Sequence, residues 1–259
     1  MVELRVVEAR TVEAVEDGVV VGKGSARSVP VHRDCAFVEI EVDEPVRRHG
    51  VGRAIFGELR RLVPEPLVAR AMASRPERLG FAEALGFEVL MRCPQPQVDP
   101  KAAETRDWVA RRLDPRVVAA SKVALDDFLD AWTSYFVWVH ASWLPAYDWP
   151  TTRQALIETQ LPDLNLDRSL VSLDAEGNIT GIGLVYPDVW DNRTFAIIET
   201  VAPDTPDGTR INEALVAAVL DAAPTLVEFE GHESDPHVDV LHSLPTPTAD
   251  PLTILIHHL

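Results

Sequence analysis

The chain has 259 residues, 46% of them hydrophobic and 25% charged, with a formal net charge of −17. That length suits one large or two ordinary globular domains, and no apolar run approaches the ~20 residues a membrane helix needs. The acidic balance disfavours nucleic acid and anionic membrane surfaces as partners.

The charge is uneven: residues 1–100 carry 14 Lys and Arg against 16 Asp and Glu, residues 101–259 only 10 against 25. An acidic second half would draw in cations, amines included, or simply keep the chain in solution. Met1-Val2-Glu3-Leu4-Arg5 lacks the charged start and apolar core of a secretion signal. Only Cys35 and Cys93 are present, so a cytoplasmic protein without disulfides is expected, its thiols acting as small buried hydrophobes.

Three strands are predicted first, Leu4–Glu8, Thr11–Glu16 and Val19–Ser28, the last two joined by a hairpin at Asp17-Gly18. In a fourth, Cys35–Val42, apolar Val38, Ile40 and Val42 alternate with Glu39 and Glu41, which places both carboxylates on one face. The next stretch, V-R-R-H-G-V-G-R-A-I-F over Val46–Phe56, turns into an apolar-periodic helix, Arg53–Val63. The first N–H groups of a helix lack intrahelical partners and sit at the positive end of its dipole, so this turn is a phosphate site. Gly50 and Gly52 let the backbone approach a ligand without an intervening Cβ. A strand over Leu67–Ala71 follows, then F-A-E-A-L-G-F at Phe81–Phe87.

Beyond proline-rich Cys93–Pro100 and a linking helix, Lys101–Leu113, a second series begins. It comprises a strand at Val117–Val123, helices at Leu125–His140 and Thr151–Gln160, a strand at Phe195–Val201, a helix at Ile211–Ala222, and strands at Leu226–Phe229 and Leu252–His257. Displacing the sequence by 159 residues lays Ile40–Ser74 on Glu199–Glu233 without a gap, and both windows read strand, loop, helix, short strand. That is the pattern of an internal repeat. Opposite Arg47–Gly52 stands Pro206–Ile211, with glycine at neither glycine position and Asp207 to repel phosphate; it reads as a helix start capped by Asp207 or Thr209. The expected domains are 1–98 and 116–259, joined by a linker helix over 99–115.

Arg47-Arg48-His49-Gly50-Val51-Gly52 resembles the (Q/R)-x-x-G-x-(G/A) pyrophosphate loop of the GNAT superfamily of acetyl-CoA-dependent N-acyltransferases. Phe81–Phe87 is similar to that family's F-Y-E-x-L-G-F signature, and the likeness spans roughly residues 35–92. It implies an α/β (α+β) fold of two GNAT-like domains in tandem, each a mixed, mostly antiparallel sheet flanked by helices. The family's helix pair among its first strands is missing from the first copy and present in the second, whose degenerate loop is expected to bind acetyl-CoA poorly or not at all. The resemblance further implies acetyl-CoA as cosubstrate, no metal, and a small, potentially cationic amine as acceptor. The backbone of Ile40, Glu41 and Val42 would hold the pantetheine arm and acetyl carbonyl, and Arg47, Arg48, His49, Gly50, Val51, Gly52 and Arg53 the pyrophosphate.

Acetyl transfer to an amine needs a neutral amine, a polarised thioester and a proton for the departing thiolate. Glu39 and Glu41 are the candidate bases; otherwise they form a solvated strand face. Ala82 occupies the place of the tyrosine that many family members offer as acid, and Arg75 stands where an asparagine is frequent. Arg75 and Arg78 would meet a CoA phosphate or cover a helix end. Trp132, Tyr135, Phe136, Trp138, Trp143, Tyr147 and Trp149 fit a buried helix face. They also fit an acceptor wall, with Trp143 and Asp148 as substrate-binding residues beside Asp127 and Asp130. In Gly231–His237 the histidines are five apart around a proline, so no zinc site is expected. The competing readings are a non-catalytic CoA-binding or protein-interaction module and, more weakly, a Rossmann-type nucleotide site; oligomeric state is not indicated.

Overall fold

The computed structural model describes residues 2–186, 193–245 and 247–258. The chain divides into two units, Met1–Leu90 with Thr253–Leu259, and Met91–Leu252.

In the first unit, β1 (Glu3–Glu8), β2 (Thr11–Glu16) and β3 (Val19–Ser28) form an antiparallel meander. Asp17 and Gly18, at φ 50° and 82°, supply the left-handed pair that a two-residue hairpin requires. Next come β4 (Ala36–Val42), α1 (Val51–Leu62), β5 (Leu67–Met72), α2 (Pro76–Ala84) and β6 (Glu88–Cys93). The sheet order is β1-β2-β3-β4-β5-β14-β6, in which β14 is the C-terminal strand Leu252–His257. One face is covered by α1, whose Ile55 and Leu59 are fully buried. That close approach depends on Gly24 in β3: a Cβ there would lie 2.3 Å from Ile55 Cγ2 and 2.9 Å from Leu59 Cδ1. On the opposite face the register sets Arg5 beside Glu13, Glu13 beside Lys23 and Lys23 beside Glu41. Alternating charges on directly opposed residues attract across the strands and suit a solvated face. As expected from the sequence, β1 runs into β2 through a short turn with no helix pair between them.

The second unit contains β7 (Pro96–Val98), α3 (Ala103–Ala110), β8 (Val117–Ala119), α4 (Leu125–His140), α5 (Trp149–Thr159), β9 (Leu170–Leu173) and β10 (Ile179–Tyr186). It continues with β11 (Thr194–Thr200), α6 (Gly208–Ala222), β12 (Val227–Glu230), α7 (Val238–His242) and β13 (Thr248–Ala249). Its sheet runs β8-β9-β10-β11-β12-β7-β13, position for position the order of the first. The helix contact is repeated too, since a Cβ at Gly181 of β10 would lie 2.6 Å from Ile211 Cγ2 and 3.0 Å from Leu215 Cδ1. Here α4 and α5 do stand between the first two strands. Phe128, Trp132, Tyr135, Phe136 and Val139 share the buried face of α4, so Trp132, Tyr135 and Phe136 of the aromatic segment are core, whereas Tyr147 and Trp149 are exposed.

The units differ from the expected domains at both junctions, because the sixth strand of each sheet comes from outside the run that builds the rest. In the first sheet it is β14, from the far end of the chain; in the second it is β7, from the end of the proline-rich stretch that the expected boundary at residue 98 assigns to the first domain. The expected linker helix is also structural, with Trp108 and Val109 of α3 buried in the second unit's core.

Candidate active site

Parallel pairing between β4 and β5 is confined to Ala36↔Leu67 and Phe37↔Val68. From Val38 to Val42, β4 keeps its bonds to β3 but has no paired strand on its other side. A strand whose polar groups face an open wedge can pair with a peptide-like ligand. The wedge opens toward the end of β4 that leads into α1.

Between β4 and α1 the backbone takes a single turn of 3-10 helix, Glu44–Val46, then passes through left-handed Arg48 (φ 66°) and Gly50 (φ 86°). Gly50 is the residue before the helix and, having no side chain, does not cap the amides that follow. Those amides, at Val51, Gly52 and Arg53, are therefore available to an anion. A Cβ at Gly50 would meet nothing within 4 Å, so its glycine is required by conformation, not by space.

Gly52 serves a purpose the sequence does not suggest: a Cβ there would lie 2.8 Å from Cζ of Phe81, whose ring on α2 stands beside the start of α1. The ring, not a ligand, takes the space that glycine leaves. Two of the loop's cations are also engaged. Arg47 Nε donates to Val42 O at 2.8 Å, and Arg53 Nη2 to Ala84 O at 3.1 Å, which ties the loop to β4 and α2. Arg48 and His49 are exposed. Arg75 occupies the residue before α2.

Glu39 and Glu41 are exposed on the face away from α1, beside the wedge. Register sets Ser25 opposite Glu39 and Lys23 opposite Glu41. Ala82 is buried in the first unit's core, so its position offers no hydroxyl. Burial pushes the Cys35 thiol up to about 11, which leaves it protonated and a poor nucleophile at neutral pH.

No family sequence model matches the chain, and no curated protein does. Solved structures do. A GCN5-related N-acetyltransferase from Sphaerobacter thermophilus superposes with a TM-score of 0.67 at 10% identity, over 98% of this chain and 82% of its own. A tandem GNAT protein from the clavulanic acid biosynthesis pathway gives 0.63 at 17% identity, over 95% and 82%. The chain carries a tandem GNAT fold. A GCN5-related N-acetyltransferase from Kribbella flavida is also similar, at a TM-score of 0.53 and 17% identity over 95% of this chain and 60% of its own.

In the second half of this tandem GNAT fold the equivalent wedge is built differently. Pairing of β11 with β12 ends at Ile197↔Glu230, and α6 starts after left-handed Asp207 (φ 58°), whose side chain does not cap it. Glu199, 1% exposed, lies two residues beyond the last pair. Its Oε1 accepts from Thr200 N (2.7 Å), Thr200 Oγ1 (3.1 Å), Asn212 Nδ2 (2.8 Å) and His237 Nδ1 (2.5 Å). None of this was evident in the sequence, where the Glu199–His237 pair is separated by 38 positions.

Trp143 and Asp148 also lie in the second unit, each with partners of its own. Trp143 Nε1 donates to Val139 O at 2.9 Å, and its ring stands between those of His140 (4.9 Å) and His232 (4.8 Å). Asp148 caps α5, accepting from Thr151 N at 3.0 Å, and these hydrogen bonds hold its carboxyl below the usual range. Asp130 is bonded to Arg153 at 2.8 Å.

Proposed function

We propose that the first unit binds acetyl-CoA and transfers its acetyl group to the amine of a small acceptor, cationic in its free state. The observation that carries this reading is the conjunction of an open wedge along Val38–Val42 with uncapped amides at Val51–Arg53. Pyrophosphate suits the helix start. The amide-bearing pantetheine arm suits the backbone of Ile40, Glu41 and Val42, with the thioester directed toward the closed end of the wedge.

Glu39 lies nearer that end than Glu41 and faces a neutral serine, whereas Glu41 is opposed by Lys23. Glu39 is therefore our choice for the base that takes the amine's proton, directly or through water. Attack of the freed amine on the thioester then gives an amide and a thiolate. Ala82 cannot protonate that thiolate, so the proton comes from solvent or from the acceptor's own ammonium.

Buried Ala82 and the uncovered sheet face also favour a second reading, a module that binds CoA without turnover. Release of CoA thiol from acetyl-CoA across a panel of small amines separates the two. Amine-dependent release that falls in Glu39→Gln supports transfer; tight donor binding with every amine left intact supports the module.

A further inference from the structure

The start of α6 is occupied by the protein itself. A Cβ added to Gly208, the first residue of α6, would collide with the His237 ring, the nearest atom being Nε2. With Glu199 as a carboxylate, which only accepts hydrogen bonds, the proton between it and His237 is carried by Nδ1. With its proton there, a neutral imidazole offers Nε2 as an acceptor beside the helix amides. That is the chemistry a phosphate oxygen would supply.

The rest of the pocket is consistent with a filled donor site. Asn212 Oδ1 and Asp235 Oδ1 are buried and accept no hydrogen bond from the described residues, although both side chains line the cavity that His237 and Glu199 also border. Two such acceptors suit the amide N–H groups of an extended arm. Burial, together with the nearby carboxylates of Asp235, Glu199 and Glu230, holds the Tyr135 hydroxyl well above its ordinary pKa.

We infer that His237, held by Glu199, is the built-in occupant of the second unit's donor site, so that the chain binds one equivalent of CoA and the second site is latent. This rests on the assignment of donor binding to the first unit, and the test distinguishes the two. Calorimetric titration with CoA is run on full-length wild type, Gly50→Asp, the opened second site Asp207→Gly/His237→Gly, and the triple variant that combines them. Gly50→Asp copies into the first loop the left-handed aspartate that precedes α6.

Wild type is expected to bind one equivalent and Gly50→Asp none. Asp207→Gly/His237→Gly should gain a second, weaker equivalent that persists in the triple variant. The inference is overturned if wild type binds two equivalents, if Gly50→Asp retains one, or if a folded Asp207→Gly/His237→Gly gains none. Should wild type bind none while Asp207→Gly/His237→Gly binds one, the first-unit assignment fails and the latent site stands. If Asp207→Gly/His237→Gly does not fold, Asp207→Gly/His237→Ala and the wild-type stoichiometry decide the matter.

Discussion

Gly24→Ala tests the link between sheet packing and the phosphate loop. The added Cβ would lie 2.3 Å from Ile55 Cγ2, about 1 Å short of ordinary contact at 3.4 Å, and 2.9 Å from Leu59 Cδ1. Both side chains are fully buried and cannot swing aside, so α1 must lift from β3. Overpacking of this kind costs ~1–3 kcal/mol, and the upper end is expected here. Ile55→Ala alone leaves a cavity and costs ~2–5 kcal/mol. Because it also removes Cγ2, the double variant should be more stable than the sum of the two by at least ~1 kcal/mol. Urea unfolding of the four proteins measures that coupling. Since α1 carries the amides of Val51–Arg53, its displacement should lower kcat/KM on the order of 10²-fold, although Gly24 touches no ligand. Additive free energies, or a Gly24→Ala protein as stable as wild type, would refute the packing argument.

Leu255 of β14 is fully buried in the first unit's core, so Leu255→Ala should cost ~2–5 kcal/mol and weaken donor binding although it lies four residues from the C-terminus; chemical denaturation and CoA titration check both effects. His257, held between Phe56 and Phe87 at 5.2 and 5.3 Å, has its pKa lowered by burial and then by the charge of Arg60. The folded state therefore prefers the neutral ring, and the stability it contributes is present above the ordinary value of 6.5 and lost as pH falls below it. Thermal midpoints between pH 5 and 8 should drop on the acid side in wild type and less so in His257→Leu. For the proposed base, Glu39→Gln should lower kcat ~10²–10⁴-fold, while Glu41→Gln changes it less than tenfold. Equal losses in steady-state assays would remove the distinction between the two carboxylates.

What the sequence revealed of the fold was what short-range chemistry dictates. The first four strands follow from alternation and from Asp17-Gly18, and α1 starts within two residues of its predicted position because Gly50 marks the turn. The strand Leu252–His257 was read with its observed bounds, but the sixth position of each sheet was not legible. β7 has only three residues, and nothing local in β14 says that it pairs with β5 and β6. β9 and β10 were also missed: Ile179–Tyr186 is nearly all apolar and holds two glycines, so it lacks the alternation of a half-buried strand. At the candidate site, the loop could be read from Arg47–Arg53 alone. The reason for Gly52 could not, because it depends on Phe81 of another helix.

The two halves separate what the fold supplies from what side chains decide. Both stop the parallel pairing early, both start the following helix after a left-handed residue, and both seat that helix on a strand glycine, Gly24 or Gly181. These features arise from backbone geometry and apolar packing, and they leave a wedge facing a helix N-terminus in each unit. In the first, glycine at the left-handed position leaves the amides bare and open. In the second, aspartate takes that position, which it tolerates better than most residues, and the His237 ring stands against Gly208 at the helix start, hydrogen-bonded to buried Glu199. On the proposed reading, ligand capacity in this chain depends on which atoms occupy the start of the helix, a property set by a few residues on an otherwise repeated frame.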